Sequence, residues 1–337
     1  MNILIRVDAS SLIGAGHVMR CLTLADALYG KADCHFMCAA ENGHLQRLIQ
    51  QRGYQVLEVA PFTNELEHAS QCLAQLTRDY DLLIVDHYQL SSVYEGMMRA
   101  ICRKVMVVDD LANRQHDCDI LLDQNLLADI NTRYQGLVPE ACELLLGPDY
   151  CLLRPEFTCA QKANIHKNNS LMVSLGGSDP NNHSRKVLAA IEQLGWQEPV
   201  DIVLGGGSPW NQQLKQEFAH LSQVNWHIQC DYMAQLMSEA RLAIGTGGSS
   251  HWERCMVGLP AIVITVADNQ VPTTELLAQQ DICYNLGKAN DVTVSKLAHT
   301  LLCLWGDEHK LMHMAESASQ LIATDGCAKV VQRILVI

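Results

Sequence analysis

The sequence predicts an α/β protein with two doubly wound parallel-sheet domains, and three observations lead to this fold class. The chain has 337 residues, of which 48% are hydrophobic, enough for two domains that each bury a core. Short, nearly continuous apolar runs alternate with longer segments of helical period, which is typical of parallel strands buried on both faces. This series occurs twice, and a polar stretch without strands separates the two occurrences.

The first series predicts six strands and the second predicts five. Each run is short, and the segment that follows it is long enough for a crossover helix. The predicted strands are NILIRV, DCHFMCAA, YQVLEVA, DLLIVD, KVMVVDD and DILLDQN in the first series, then SLMVSLGG, VDIVLGGG, VNWHIQC, RLAIGTGG and PAIVITV in the second.

The separating stretch, residues 146–170, contains two prolines and then a polar segment. We therefore expect an N-terminal domain over 1–158 and a C-terminal domain over 159–337. The tail of the chain predicts two helices parted by a turn at Asp325 and Gly326, and these helices could pack back on the first domain. Doubly wound, Rossmann-like domains bind ligands at the carboxyl ends of their strands, so we expect the two domains to face a cleft that holds the ligand.

The charge balance argues against a nucleic-acid or membrane-surface partner. With 24 basic and 37 acidic residues, the formal net charge is −13, so no sequence-wide positive field is available. The first 25 residues lack the pattern of a secretory signal, and no apolar run approaches the ~20 residues needed to cross a bilayer. We expect a cytoplasmic protein that is not inserted in a membrane and that acts on a small molecule.

The cysteines do not predict a metal site. All 14 are scattered and no CxxC pair occurs, which favours buried thiols in a reducing compartment. The group Cys34, His35, Cys38 and His44 fits an alternating strand better than a zinc site. We expect neither a metal nor a cofactor.

The first loop with chemical potential is SSLIGAGHVMR, residues 10–20. It resembles a dinucleotide fingerprint, but the loop from Asp8 to Ile13 is too long and Met19 occupies the third glycine position. Glu41 could still bind a ribose, so this alternative stays open.

The other interpretation of the loop is that Gly16 allows a sharp turn and presents His17 in the first turn of a helix. The positive end of that helix disfavours an imidazolium, so His17 would be neutral and able to act as a general base. A histidine that only caps or packs the helix start is an equal alternative from the motif alone.

Two glycine- and serine-containing loops of the second domain predict an anion site. VSLGGSDPNNHS (173–184) and GTGGSSHWERCMVGLP (245–260) each run from a strand through small residues into a helix. Unobstructed amides, a hydroxyl and a helix start can together hold an oxyanion without a basic residue. A carboxylate at Glu253, one turn into the second helix, can accept hydrogen bonds from the hydroxyls of a ribose. The third cluster, VLGGGSPWN, has no carboxylate and is interpreted as a turn.

Polar residues also follow other strands. Asp86, His87, Tyr88 and Asn269 are expected at the rim of the site, although each alone is more often a loop or cap residue. The pair Asp109 and Asp110 could bind Mg²⁺, but a helix N-cap is the favoured interpretation.

Taken in order, these motifs resemble a known enzyme family. The chain from GAGHVMR through VDHY, DQN, LGPDYCLLRPEF, LGGSDPNN, SSHWE and DNQ to ATDGCAKVV is similar to the UDP-sugar hydrolases of pseudaminic acid biosynthesis, which act on UDP-2,4-diacetamido-2,4,6-trideoxy-β-L-altropyranose. The resemblance spans nearly the whole chain. The glycine loops are shared with a broader superfamily that includes the UDP-N-acetylglucosamine transferase of peptidoglycan synthesis. His251 and Trp252 depart from the smaller or aliphatic residues usual in this family.

The resemblance implies a glycosyltransferase-B (GT-B) fold in which water replaces the sugar acceptor. It implies that His17 is the catalytic base and that Tyr88, Gly248, Ser249, Ser250, Glu253 and Asn269 bind the substrate. A single base opposite a good leaving group predicts inversion at the anomeric carbon. The full set of residues expected to bind the substrate is Gly16, Arg20, Tyr88, Arg154, Gly176, Gly177, Ser178, Gly248, Ser249, Ser250, Glu253 and Asn269.

Two rival functions stay open at this point. The fold hosts many glycosyltransferases, so transfer of the sugar from a UDP-sugar donor to an acceptor is the first alternative. A nicotinamide-dependent oxidoreductase is the second, but it would need the missing third glycine.

Overall fold

The computed structural model describes residues 1–10, 13–162 and 167–337, and it divides into two compact units. Unit 1 comprises 1–152 and 325–337, and unit 2 comprises 153–324. Two parts of the sequence-based predictions, residues 11–12 of the glycine loop and 163–166 of the separating stretch, lie outside the described residues.

The predicted α/β fold class is confirmed: each unit contains one parallel sheet, with the order β3-β2-β1-β4-β5-β6-β7 in unit 1 and β10-β9-β8-β11-β12-β13 in unit 2. Helices connect most consecutive strands, whereas the described connections from β5 to β6 and from β6 to β7 contain none. The strands are β1 Asn2–Val7, β2 Asp33–Ala39, β3 Gln55–Val59, β4 Tyr80–Asp86, β5 Cys102–Val108, β6 Ile120–Asp123, β7 Glu143–Leu146, β8 Leu171–Ser174, β9 Val200–Leu204, β10 Val224–Ile228, β11 Leu242–Thr246, β12 Ala261–Thr265 and β13 Tyr284–Lys288.

Most helices carry an apolar face toward a sheet and a polar face outward. They are α1 Gly16–Ala27, α2 Gln46–Gln51, α3 Glu65–Gln75, α4 Ser92–Met98, α5 Pro155–Lys162, α6 His183–Gln193, α7 Asn211–Glu217, α8 Met233–Glu239, α9 Ser250–Met256, α10 Val271–Gln279, α11 Val294–Trp305, α12 Glu308–Leu321 and α13 Gly326–Ile334.

All eleven strands predicted from the apolar runs are present, but β7 and β13 were missed. Both lie at the edge of a sheet. β7 is only four residues long, with the sequence ELLL, and β13, with the sequence YNLGK, has no continuous apolar run. In β13 the pattern is also interrupted by Gly287, whose φ of +106° requires glycine.

The division of the chain differs from the predicted 158/159 boundary. Leu152 packs in the core of unit 1, whereas α5 packs against α8 and α9 of unit 2. The chain then returns: α12 stays in unit 2, while α13 joins unit 1 and packs against α1. Proline and polar content mark a loop without marking which core its flanks join, so the sequence does not locate this division within the separating stretch.

In each sheet the strand order reverses once, between β1 and β4 in unit 1 and between β8 and β11 in unit 2. On either side of such a reversal the connecting helices leave toward opposite faces, so the carboxyl ends of the two strands stay uncovered. The loop with His17 follows β1, VDHY ends β4, and the two glycine loops follow β8 and β11. These four motifs therefore lie at a reversal point, whereas Asp109 follows β5 and Asn269 follows β12.

The return of α13 gives a stability prediction. Ile334 is fully buried in the core of unit 1, so Ile334→Ala should lower the free energy of unfolding by about 2–5 kcal/mol through lost burial and an unfilled cavity. Val336, three-quarters exposed, provides the matched control, and Val336→Ala should change the free energy of unfolding by less than about 0.5 kcal/mol. Urea denaturation measures both, and equal effects of the two changes would argue against docking of α13.

Candidate active site

The loop before α1 turns at Gly14, not at Gly16 as the sequence interpretation had it. Gly14 has a φ of +84°, and its amide donates to the Ser10 carbonyl over 2.8 Å. A side chain at this φ would be strained, so glycine is required here. Gly16 is instead the first residue of α1, which places His17 in the first helical turn as predicted.

His17 is paired with a carboxylate that sequence analysis did not assign to it. Its Nδ1 lies 2.6 Å from Oδ1 of Asp86, the last residue of β4. A carboxylate can only accept, so Nδ1 carries the hydrogen and Nε2 is the nitrogen with a lone pair for a further proton. The pairing fixes both the tautomer and the direction of the ring, which is the arrangement a histidine base needs.

Arg20, one turn after His17, binds the same carboxylate. Its Nε and Nη2 donate to the two oxygens of Asp86 over 2.6 Å each, and Nη1 lies 3.6 Å from Asp110. Burial alone would raise the pKa of Asp86, but the charge of Arg20 and the hydrogen bonds from Arg20 and His17 hold it well below its usual range. Arg20, predicted as a substrate contact, is thus also a partner of Asp86.

Tyr88 packs edge-on against the ring of His17, with 4.6 Å between ring centroids. Both rings line a cavity of about 260 Å³ at the reversal point of unit 1. The described residues that line it are Asp8, Ser10, Ile13, His17, Glu41, Asp86, His87, Tyr88 and Gln89.

A second histidine–carboxylate pair lines this cavity. Asp8 is held by both Nη atoms of the fully buried Arg6, over 2.7 and 2.8 Å, and by Nε2 of His87 at 3.2 Å. Nδ1 of His87 accepts the backbone N–H of Gln89, so both nitrogens of this ring are used. Burial lowers the pKa of His87, and the ring is neutral and fixed. Of the two histidines on the cavity, His17 is therefore the one arranged to accept a proton.

The aspartate pair after β5 binds protein groups. Oδ2 of Asp109 accepts the amides of Leu111 and Ala112, while Oδ1 accepts Arg114. Asp109 thus caps a turn rather than the helix that the sequence analysis expected, because no helix follows β5 directly.

In unit 2 the loop after β8 exposes backbone. A Cβ added at Gly176, whose φ is +95°, or at Gly177 would meet no atom of the described chain within 4 Å. The neighbouring Gly205 is different: its Cβ would stand 1.8 Å from the Gly177 carbonyl oxygen, so the cluster after β9 is glycine-rich to let these two loops touch. Ser178 is half-buried beside them.

The helix start after this loop is already occupied, contrary to the sequence interpretation. Both oxygens of Asp179 accept amides of α6, from His183 and Ser184, over 2.8 Å. A carboxylate at this end satisfies the positive end of the helix, so α6 does not offer it to a ligand. The glycine amides preceding Asp179 are the groups that stay exposed for an anion.

The loop after β11 carries Gly248, with a φ of +77°, then Ser249 and Ser250. The side chain of Gln270 packs against Gly247 so closely that a Cβ there would come within 2.8 Å of it. Gln270 belongs to the short turn Asp268–Gln270 after β12, which also presents the exposed Asn269.

The structure brings Glu253 and Arg154 together. Nη2 of Arg154 donates to Oε1 of Glu253 over 3.1 Å, and Nη1 reaches Glu156 at 2.9 Å. Burial raises the pKa of Glu253 although the charge of Arg154 opposes this. The carboxylate is thus fixed one turn into α9, at the position expected for a group that accepts hydroxyls.

Sequence reasoning missed the partners that hold the predicted residues. Arg6 stands inside an otherwise apolar strand, and Asp8, two residues on, shares its face because side chains alternate along a strand. A charge in a buried strand needs a buried partner, so this spacing was a usable signal. The pairing of Asp86 with His17 spans 69 positions and had no local signal.

Comparison with known proteins identifies the family. Residues 171–333 match the model of the glycosyltransferase family 28 C-terminal domain. Over 283 residues the chain is 30% identical to the UDP-2,4-diacetamido-2,4,6-trideoxy-beta-L-altropyranose hydrolase of Campylobacter jejuni subsp. jejuni, covering 83% of this chain and 97% of that protein. The chain belongs to this hydrolase family. It is therefore an enzyme of the nucleotide-sugar-processing class.

Solved structures show that this member of the hydrolase family has the GT-B fold, as predicted. Acinetobacter baumannii MurG has a TM-score of 0.69 and 14% identity, covering 100% of this chain and 99% of that chain. Anabaena Alr3699/HepE, solved in complex with UDP and glucose, has a TM-score of 0.60 and 15% identity over the same shares. Within the described ranges, none of the helices combines the length and apolarity needed to cross a membrane.

The buried His68 near the site predicts a loss of stability in weak acid. Nε2 of His68 accepts from Arg6, and burial together with the charge of Arg6 lowers the pKa of His68 from 6.5 to about 4. As the pH falls, His68 is protonated in the unfolded chain before it is protonated in the folded protein. The contribution of His68 to the free energy of unfolding is therefore complete above pH 6.5 and is lost as the pH falls toward 4. His68→Gln, which keeps an acceptor for Arg6, should make the free energy of unfolding depend less on pH over this range.

The matched control is His309→Gln at an exposed position of α12, which should keep the wild-type slope. Denaturant unfolding at pH 7, 6 and 5 measures all three proteins. Parallel curves for the wild type and His68→Gln would show that His68 is not held neutral in the folded state.

Proposed function

We propose that this protein hydrolyses UDP-2,4-diacetamido-2,4,6-trideoxy-β-L-altropyranose to UDP and the free sugar. Unit 1 supplies the general base and unit 2 binds the nucleotide. Membership in the hydrolase family supports the substrate. The observation that carries the reaction type is the 2.6 Å bond between Nδ1 of His17 and Asp86, on a cavity.

In the proposed step, Nε2 of His17 takes a proton from water as the water oxygen bonds to the anomeric carbon. The bond from that carbon to the UDP oxygen breaks, and UDP leaves with the electron pair. Because attack is from the face opposite the leaving group, the configuration inverts. Asp86 holds the ring and stabilises the imidazolium that forms.

Glycosidases that release poor leaving groups use two carboxylates, one of them as an acid. UDP is a good leaving group whose developing charge needs stabilisation and not a proton. A single base in unit 1 and anion-binding loops in unit 2 are then sufficient. The exposed amides around Gly176, Gly177 and Gly248 would stabilise the diphosphate, and Glu253 would accept the hydroxyls of the ribose.

Product analysis tests the reaction type. Purified protein is incubated with the UDP-sugar alone and followed by NMR, and we expect UDP and free sugar with no acceptor added. An intact substrate that reacts only after a sugar acceptor is supplied would identify a transferase instead. Reaction only with a nicotinamide would identify an oxidoreductase.

Two variants test the assigned base. His17→Ala should leave UDP affinity nearly unchanged and reduce kcat by about 10²- to 10⁴-fold, the range for a general base. Asp86→Asn should also reduce kcat, because it removes the carboxylate charge and replaces one acceptor oxygen by an N–H donor, so the side chain no longer fixes the tautomer of His17. Steady-state assays measure kcat, and titrations with UDP measure its affinity. A weaker UDP affinity with unchanged kcat would assign His17 to substrate binding.

A further inference from the structure

Arg254 lies under the glycine loop of unit 2. It belongs to α9, is only 4% exposed, and its Nη2 donates to the carbonyl of Thr246 over 2.8 Å. Thr246 is the last residue of β11, directly before Gly247 and Gly248. A Cβ added at Gly245 would stand 2.7 Å from Nη1, so a glycine in the strand makes room for the guanidinium.

No carboxylate of the described residues forms an ion pair with this cation, and the charge of Glu253 acts on it only at longer range. The guanidinium contacts the Thr246 carbonyl and Nδ1 of His251, the latter at 3.2 Å. An arginine keeps its proton even when buried, so the charge persists. In unit 1 the buried Arg6 and Arg20 are each bonded to an aspartate, which makes Arg254 the exception among these three.

His251 does not supply a counter-charge. Burial, with the charge of Arg254, lowers the pKa of His251 well below its usual range, so the ring is neutral. Its Nε2 donates to the hydroxyl of Thr274 over 3.0 Å, and that hydroxyl donates to the Gln270 carbonyl over 2.7 Å. This series of hydrogen bonds orients the side chains of His251 and Thr274, and it connects the guanidinium to the turn after β12.

Burying a charge without a partner costs free energy, and a bound anion would compensate this cost. The carbonyl that Arg254 binds is adjacent to the loop to which the proposed function assigns the diphosphate. We propose that Arg254 is a positioning residue for the diphosphate: it fixes the base of the Gly247–Gly248 loop and supplies the buried positive charge that the nucleotide's phosphates complement. This inference rests on the proposed function, and it adds a residue that neither the motifs nor the resemblance assigned.

The test compares charge with hydrogen bonding at position 254. Arg254→Lys keeps the charge and loses the guanidinium fork, whereas Arg254→Gln keeps an N–H donor for Thr246 and loses the charge. Calorimetric titration of the full chain with uridine, UMP and UDP measures each affinity. We expect Arg254→Gln and Arg254→Met to weaken UDP by about 10- to 100-fold, with a smaller effect on UMP and none on uridine. Arg254→Lys should restore most of the UDP affinity.

Arg241→Met is the matched control. Arg241 is a partly buried arginine of the same unit, but it is bonded to Glu308 at 2.7 Å, so its loss should leave all three affinities unchanged. A measurement on the wild type needs no variant: the preference for UDP over uridine should persist in 0.5 M NaCl, because salt screens a buried charge weakly.

Several results would overturn the inference. These are equal weakening of uridine and UDP, rescue by Gln as good as rescue by Lys, unchanged UDP binding in Arg254→Met, or loss of the UDP preference in high salt. If the wild type does not bind UDP at all, the proposed function fails first and the inference with it. If the wild type binds UDP but one of these four results is obtained, the role of Arg254 is contradicted and the proposed function is not.

Discussion

The reversal of strand order in each sheet is the constraint on which the site depends. Between β1 and β4, and again between β8 and β11, the connecting helices leave toward opposite faces, so two neighbouring carboxyl ends stay open. Unit 1 places titratable side chains at its reversal point, and unit 2 places glycine-rich backbone there. The same architecture thus carries two different chemistries.

The two units differ in how they treat buried charge. In unit 1 the aspartates at the ends of the neighbouring strands β1, β4, β5 and β6 each form an ion pair with an arginine. These pairs give a rigid and nearly neutral arrangement around His17. Unit 2 instead buries Arg254 without a carboxylate among the described residues and exposes amides nearby. The pairs in unit 1 are Asp8 with Arg6, Asp86 with Arg20, Asp109 with Arg114, and Asp123 with Arg133. A chain with a net charge of −13 can therefore present a local site suited to an anion.

What the sequence could predict was the local part of this arrangement. Apolar runs and glycine loops are short-range patterns, so the interior strands and the place of His17 were predictable. Asp86 as the partner of His17 was not, because helix and strand meet only through the fold. The same applies to the bond between Arg20 and Asp86, which joins residues far apart in the sequence. The Asp179 cap was predictable in principle, since an aspartate just before a helix binds its first amides.

The most direct test of the account is cleavage of the UDP-sugar in H₂¹⁸O, with mass spectrometry of both products and NMR of the first-formed anomer. Attack of a His17-activated water on the anomeric carbon predicts one ¹⁸O atom in the free sugar, none in UDP, and an inverted configuration at first appearance. Label in the terminal phosphate of UDP would mean that the phosphorus–oxygen bond breaks, and a retained configuration would mean a covalent intermediate. Either result would contradict the account.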